Sequence, residues 1–147
     1  MHLYEERLGV PAAWFGFAFL LGLAVAAILL PFGPAVALGG LVLVTSVTAL
    51  AVRHYGSVRI TVTTGHLTAG KVRIPLASLG LAEILDSEEA FAWRTRRADP
   101  HALMLLRSYV PTALRIEIRD AGHPAPYAYL STRQPTTLMA VLAFARR

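Results

Sequence analysis

Residues 11–52, PAAWFGFAFLLGLAVAAILLPFGPAVALGGLVLVTSVTALAV, decide the architecture of this chain. They lie within an interval of 45 residues, 8–52, that contains no Asp, Glu, Lys or Arg. Pro31-Phe32-Gly33-Pro34 is a breaker cluster that no helix carries in its middle. It divides the interval into two apolar segments, about 11–30 and 34–52. At about 1.5 Å per residue each spans roughly 30 Å, the thickness of a bilayer's hydrocarbon core. Pro11 and Pro34 stand at helix starts, where a missing N–H costs little. Trp14, Phe15, Phe32 and Tyr55 suit interfacial belts. The reading is a transmembrane helical hairpin. A cleaved signal peptide would want a basic leader and a shorter apolar core, and a buried soluble hairpin would want a polar stripe.

Outward from the hairpin the material changes. Of 147 residues, 55% are hydrophobic and 16% charged, with a mean hydropathy of +0.53. Soluble domains carry about 25% charge. Residues 53–147 hold 13 of the 14 Lys+Arg and 7 of the 9 Asp+Glu, a formal +6, against −1 for the first seven residues. Cysteine is absent, which excludes disulfides, thiolate catalysis and cysteine-rich metal sites and fits a reducing compartment. The domain boundaries expected are 1–57 for an N-terminal tail plus hairpin and 58–147 for a β-domain.

After residue 57 the hydrophobic period is two. Val58, Ile60 and Val62 alternate with Arg59, Thr61 and Thr63, and Leu67-Thr68-Ala69 pairs back after the Thr64-Gly65 turn. Val72, Ile74 and Leu76 form a further strand, at an edge because of Pro75. Leu79–Leu85 follows. Asp86 caps a helix with Glu88 and Glu89 in its first turn and Arg94, Arg96 and Arg97 at its far end. Strands are expected at Leu103–Leu106, Leu114–Ile118 and Tyr127–Ser131. A helix runs from Pro135, with Leu138, Val141, Leu142 and Ala145 on one face. The fold class is membrane-anchored α+β: an N-terminal helical hairpin, then six or seven antiparallel strands closed by a C-terminal helix. That order is the one found in pleckstrin-homology-like (PH-like) barrels or sandwiches, an analogy that licenses a shape and no activity.

Several local motifs carry a resemblance as well. Tyr4-Glu5-Glu6-Arg7-Leu8 precedes the hairpin. Arg97-Ala98-Asp99-Pro100, the strand Leu114–Arg119 and the run Pro126-Tyr127-Ala128-Tyr129-Leu130-Ser131-Thr132-Arg133-Gln134-Pro135 follow it. With these the chain resembles, nearly end to end, an actinobacterial family of small two-helix membrane proteins, domain-of-unknown-function family thirty ninety-three. It departs from that family at Ser108-Tyr109, where a tryptophan is common, and at His123, where a second aspartate is usual. The resemblance implies the architecture and supplies no reaction.

Functional expectations follow from charge and from what is missing. The hairpin tip has no Lys or Arg, whereas Arg53, Arg59, Lys71 and Arg73 follow the second segment. The positive-inside rule then places both termini and the β-domain on the cytoplasmic side of the plasma (cell inner) membrane. Ala18, Gly22 and Ala26 recur four apart, and the second segment offers Gly39 and Gly40. These are candidates for close helix packing, within the hairpin or against a partner's helix. Arg59, Lys71 and Arg73, with Arg94, Arg96 and Arg97, are candidates for anionic lipid. Only five residues tether the first strand, holding the domain near a leaflet that attracts each cation by about 1 kcal/mol. No histidine pair has metal-helix spacing, and there is no phosphate loop or nucleophile elbow. Ser131-Thr132-Arg133 offers an anion site or a cap at a helix start.

The leading expectation is a non-enzymatic accessory or scaffolding module of a membrane complex. It has the bilayer and a membrane protein as partners, and no nucleic acid, cofactor, metal or catalytic residue. The alternatives are an anionic-headgroup module and, last, a membrane-tethered enzyme around Asp99, His101, Glu117 and Tyr127.

Overall fold

The computed structural model describes residues 1–147, and the chain divides into two compact units. Gly9–Val58 is one. Met1–Leu8 together with Arg59–Arg147 is the other.

The first unit is the helical hairpin. Helix α1, Ala13–Leu29, continues as a 3-10 turn over Leu30–Phe32, and α2 runs Pro34–Tyr55. Pro34 opens α2 as expected; Pro11 lies before α1, its carbonyl accepting from Trp14 N–H. Pro31 is absorbed by the tightened last turn, so the break falls at Gly33, whose φ of 117° only glycine adopts without strain. The stretches Ala13–Phe32 and Pro34–Tyr55 are long and apolar enough to cross a membrane. Their outward side chains are apolar and solvent-facing, among them Phe17 at 68% exposure and Ile28 at 71%. Trp14 and Tyr55 stack at the open end, centroids 6.0 Å apart and rings 8° from parallel.

The second unit contains two four-stranded sheets. In the first, β1 (His2–Arg7), β2 (Arg59–Thr63), β3 (His66–Ala69) and β4 (Val72–Pro75) lie side by side in chain order, all antiparallel. Period-two alternation buries Ile60, Val62, Leu67 and Ile74 and turns Arg59, Thr61 and Arg73 outward. Pro75 sits on the edge strand, where a missing N–H is harmless. The second sheet has the order β5 (Leu79–Leu85), β7 (Ala113–Ile118), β8 (Tyr127–Ser131), β6 (Leu103–Leu105). Helix α3, Ser87–Arg94, is capped by Asp86 accepting from Glu89 N–H at 2.8 Å, and its Ala90 is buried with Leu85, Ala113, Tyr127 and Tyr129. Helix α4, Pro135–Ala145, buries Leu138 and Leu142 in the main core, which the inner faces of both sheets share.

Two expectations are corrected. Residues 1–7 are not a tail: His2–Arg7 is a strand of the first sheet, with Glu6 beside Ile60 and Arg7 beside Arg59, and Leu8 is fully buried. The whole hairpin is thus an insertion between two hydrogen-bonded neighbours. The strands are also not all antiparallel, because β6 runs parallel to β8. The connection 106–112 carries the chain past one strand position before β7. β8 then fills the gap antiparallel to β7, which forces it parallel to β6.

Candidate functional site

Two polar networks bring the sequence motifs together in pairs. In the first, β1 meets the β8–α4 connection. Thr132, fully buried, donates its hydroxyl to the Glu6 carboxylate at 2.5 Å, Arg133 donates its backbone N–H at 2.8 Å, and the Tyr4 hydroxyl donates at 3.0 Å. The Thr132 oxygen in turn accepts from Gln134 N–H at 3.1 Å, ahead of α4. Burial, and next the Glu6 carboxylate, push the Tyr4 hydroxyl up to about 12, which keeps it a donor. Tyr109 donates to the Leu8 carbonyl at 2.5 Å. An external anion at Ser131-Thr132-Arg133 would meet donors already engaged by Glu6, and Ser131 instead accepts from Arg107 N–H at 3.0 Å.

The second network covers the outer face of the second sheet. Glu83 on β5 and Arg115 on β7 are cross-strand partners, joined by contacts of 2.6 and 3.1 Å to one carboxylate oxygen. The Arg115 guanidinium lies 4.5 Å from the Trp93 ring centroid and 5.8 Å from that of Tyr127, and the two rings meet edge-on at 5.4 Å. Arg97 approaches the same indole at 5.8 Å. Each such cation–ring contact is worth about 0.5–1 kcal/mol at an exposed site. The Tyr127 hydroxyl accepts from Asp99 N–H at 3.1 Å and reaches the Arg97 carbonyl at 3.4 Å. Residues 97–100 and 126–129 are thereby tied. Tyr129, beneath α3, is fully buried; burial raises its pKa, and nearby Arg94 opposes that shift.

The residues weighed for an enzyme fall beside this network. Asp99 Oδ1 accepts from His101 N–H at 2.8 Å and lies 3.3 Å from its Nδ1, with the histidine side chain 79% exposed. Glu117 is the register partner of Tyr127 and pairs with Arg119 at 3.2 Å. Asp99, His101 and Tyr127 form a linked turn, and Glu117 lies across the strand from it.

The basic candidates are dispersed. Arg59 pairs with Glu5 at 3.3 Å, which Arg7 also approaches at 3.4 Å; Arg73 faces His66 at 3.4 Å on the outer face of the first sheet. Lys71 stands exposed in the β3–β4 turn without an ion pair. At the other sheet Arg94 lies over Phe91 at 5.3 Å, Arg97 over Trp93, and Arg96 is exposed. Arg7, Arg59 and Lys71 share the end of the first sheet from which the hairpin connections leave. The Arg94–Arg97 group belongs to the other sheet's α3.

Of the helix-packing candidates, Gly22 and Gly40 make the α1–α2 contact. A Cβ on Gly22 would lie 2.1 Å from Thr45 Oγ1, and one on Gly40 2.4 Å from Leu29 Cδ1. Ala18 is buried and Ala26 half-buried. Gly39 has nothing within 4 Å and faces away from the partner helix. Sequence reasoning missed Glu6, Glu83, Trp93 and Arg115. Glu6 meets Thr132 across 126 residues where β1 packs against the β8–α4 connection, and Glu83 meets Arg115 across 32 residues by strand register; the alternation of Arg115 with buried neighbours was the available signal for its outward face.

A family model described as a protein of unknown function (DUF3093) matches residues 3–142, and the chain belongs to that family. No curated protein and no solved structure matches it.

Proposed function

We propose, with membership of that family as the premise, that this is a non-enzymatic, two-pass membrane protein serving as an accessory or scaffolding module of a membrane complex. One observation carries the reading. The apolar hairpin is inserted between β1 and β2, whose terminal residues Arg7 and Arg59 are register partners. The folded domain is therefore joined to its hairpin through two covalent connections rather than one flexible tether. The motif residues Glu6, Thr132, Arg97 and Tyr127 are engaged in joining elements of the fold. That leaves Gly39 on the hairpin and the exposed side chains of the β-domain as surfaces for a partner. A four-stranded meander, a second sheet and a packed C-terminal helix support a PH-like shape for the domain, from which parallel β6 departs. Actinobacterial origin fits the same resemblance.

The orientation proposed is cytoplasmic for both termini and the β-domain at the plasma (inner) membrane. Arg53 stands in the last turn of α2, Arg59, Lys71 and Arg73 follow it in sequence, and the turn 31–33 has no Lys or Arg. Isolation from native membranes in mild detergent tests the function. A stoichiometric membrane protein that is lost on Gly39→Leu supports a scaffold; a lone monomer overturns it. The shared sheet end of Arg7, Arg59 and Lys71 favours anionic headgroups as a second reading, although Glu5 offsets part of that charge. Equal behaviour of the full chain in neutral and anionic bilayers at low salt removes that second reading.

A further inference from the structure

Between β4, the last strand of the first sheet, and β6, the last strand of the second, lies a cleft of about 220 Å³. Ile74 lines it from one sheet and Leu103, Leu105 and Leu130 from the other. Among its lining residues Ala69 and Ala128 are both small and buried, 6% and 0% exposed, and their methyl groups leave the space that a larger side chain would fill. Lys71 is the one charged residue of the lining. It is exposed and makes no ion pair, unlike Arg59, which has Glu5.

We propose that this cleft binds a single unbranched acyl chain whose anionic end is met by the Lys71 ammonium. Pockets for drug-sized molecules run about 300–1,000 Å³. A cleft of about 220 Å³ is too small for paired chains and has room for one narrow chain. Alkyl walls with one cation at the rim match an amphiphile with an apolar body and a negative head. The free edges of β4 and β6 would otherwise invite a peptide strand. That ladder is short, because β6 has three residues and Pro75 in β4 has no N–H to offer. The assignment is independent of whether the hairpin recruits a partner.

The three methionines, Met1, Met104 and Met139, give a direct test. Met104 stands on β6 between the lining residues Leu103 and Leu105, its side chain toward Tyr129 on the other face, so it reports on the strand that walls the cleft, and Met139 lies on α4. The full chain, carrying ¹³C-methyl methionine, is placed in phosphatidylcholine nanodiscs and titrated with decanoate. The Met104 methyl signal shifts saturably while those of Met1 and Met139 stay. Lys71→Glu weakens decanoate by more than about fivefold, the factor that loss of one lysine charge alone supplies at a surface, and leaves decanol unchanged. Ala69→Leu, with the Met139 signal intact as the sign of folding, abolishes the Met104 response to both. A Met104 signal that does not move, equal shifts of all three methionines, or an Ala69→Leu chain that still responds overturns the proposal. So does a response to the peptide Thr-Val-Thr-Val-Thr-Val in place of decanoate. Equal loss of decanoate and decanol in Lys71→Glu overturns the role of the charge.

Discussion

The Glu6 carboxylate accepts a hydrogen bond from the Thr132 hydroxyl, so β1 is locked to the start of α4 across 126 residues of chain. The same carboxylate holds Arg133 N–H and the Tyr4 hydroxyl. Glu6→Ala leaves fully buried Thr132 without its acceptor, at a cost of about 1–3 kcal/mol. For a domain of this size that lowers Tm by roughly 4–8 °C per kcal/mol. Thr132→Val removes the same bond from the other side. Thermal unfolding of both single variants and the double variant gives the coupling; strictly additive losses would mean that the pair does not interact.

Tyr4 makes the network sensitive to alkali. Its hydroxyl is raised from 10 to about 12, so the folded state holds the proton more tightly than the unfolded state does. The stability linked to it is complete below about pH 10 and is lost as pH rises from about 10 to about 12. Tyr129 is raised as well and adds to the fall. The Tyr4→Phe chain therefore loses less stability than the parent across that window. Parallel denaturant titrations at pH 9 and above measure the difference, and identical slopes for the two chains would remove Tyr4 from this role.

The first eight residues belong to the folded domain. Leu8 is 0% exposed, and Leu→Ala at such a site costs about 2–5 kcal/mol. Deleting residues 1–8 additionally exposes the edge of β2. A fragment beginning at residue 58 is expected to aggregate or unfold, whereas the same fragment supplied with a linked His2–Leu8 strand stays monomeric. Size-exclusion profiles distinguish them.

What the sequence made legible and what it did not divide along one physical line. Hydropathy and alternation are local, so the hairpin, the break before Pro34 and the strands around Ile60, Ile74 and Ile116 were readable from neighbouring residues. The edge position of Pro75 and the Asp86 cap were readable for the same reason. β1 was not: Leu3-Tyr4-Glu5-Glu6 has mixed polarity, and its partners Thr61 and Val62 stand beyond the entire hairpin. The parallel pairing of Leu103–Leu105 and the meeting of Trp93 with Arg115 depend on register and crossover, which residue order alone leaves open. At the candidate site the separate motifs were visible; their joining through Glu6 and Tyr127 was not.

Gly22 sets the approach of the two apolar helices. A Cβ there meets Thr45 Oγ1 at 2.1 Å and the Leu41 carbonyl oxygen at 3.1 Å, so Gly22→Val pushes α1 off α2. Overpacking of this kind costs about 1–3 kcal/mol. Thr45→Ala removes the nearer obstacle and recovers part of the loss. A Cβ at Gly39 meets nothing within 4 Å, so Gly39→Leu does not loosen the hairpin. Detergent-induced unfolding followed through the Trp14–Tyr55 stack ranks the variants. An unaffected Gly22→Val hairpin would show that this approach is not required.

Arg115 couples charge to aromatic packing on the outer face of the second sheet. It is held by Glu83 on one side and by Trp93 and Tyr127 on the other. Lysine keeps the charge but not the planar fork that reaches the carboxylate while lying over the indole. Arg115→Lys is therefore expected to cost about 1–2 kcal/mol, the sum of one exposed pair and one or two cation–ring contacts. The chain has two tryptophans, so in a Trp14→Phe background the emission reports Trp93 alone. Arg115→Lys shifts that emission and makes the indole more accessible to acrylamide, while Arg97→Lys, farther from the ring, has a smaller effect. Equal quenching in the parent and Arg115→Lys chains would mean that the guanidinium does not cover the indole in solution.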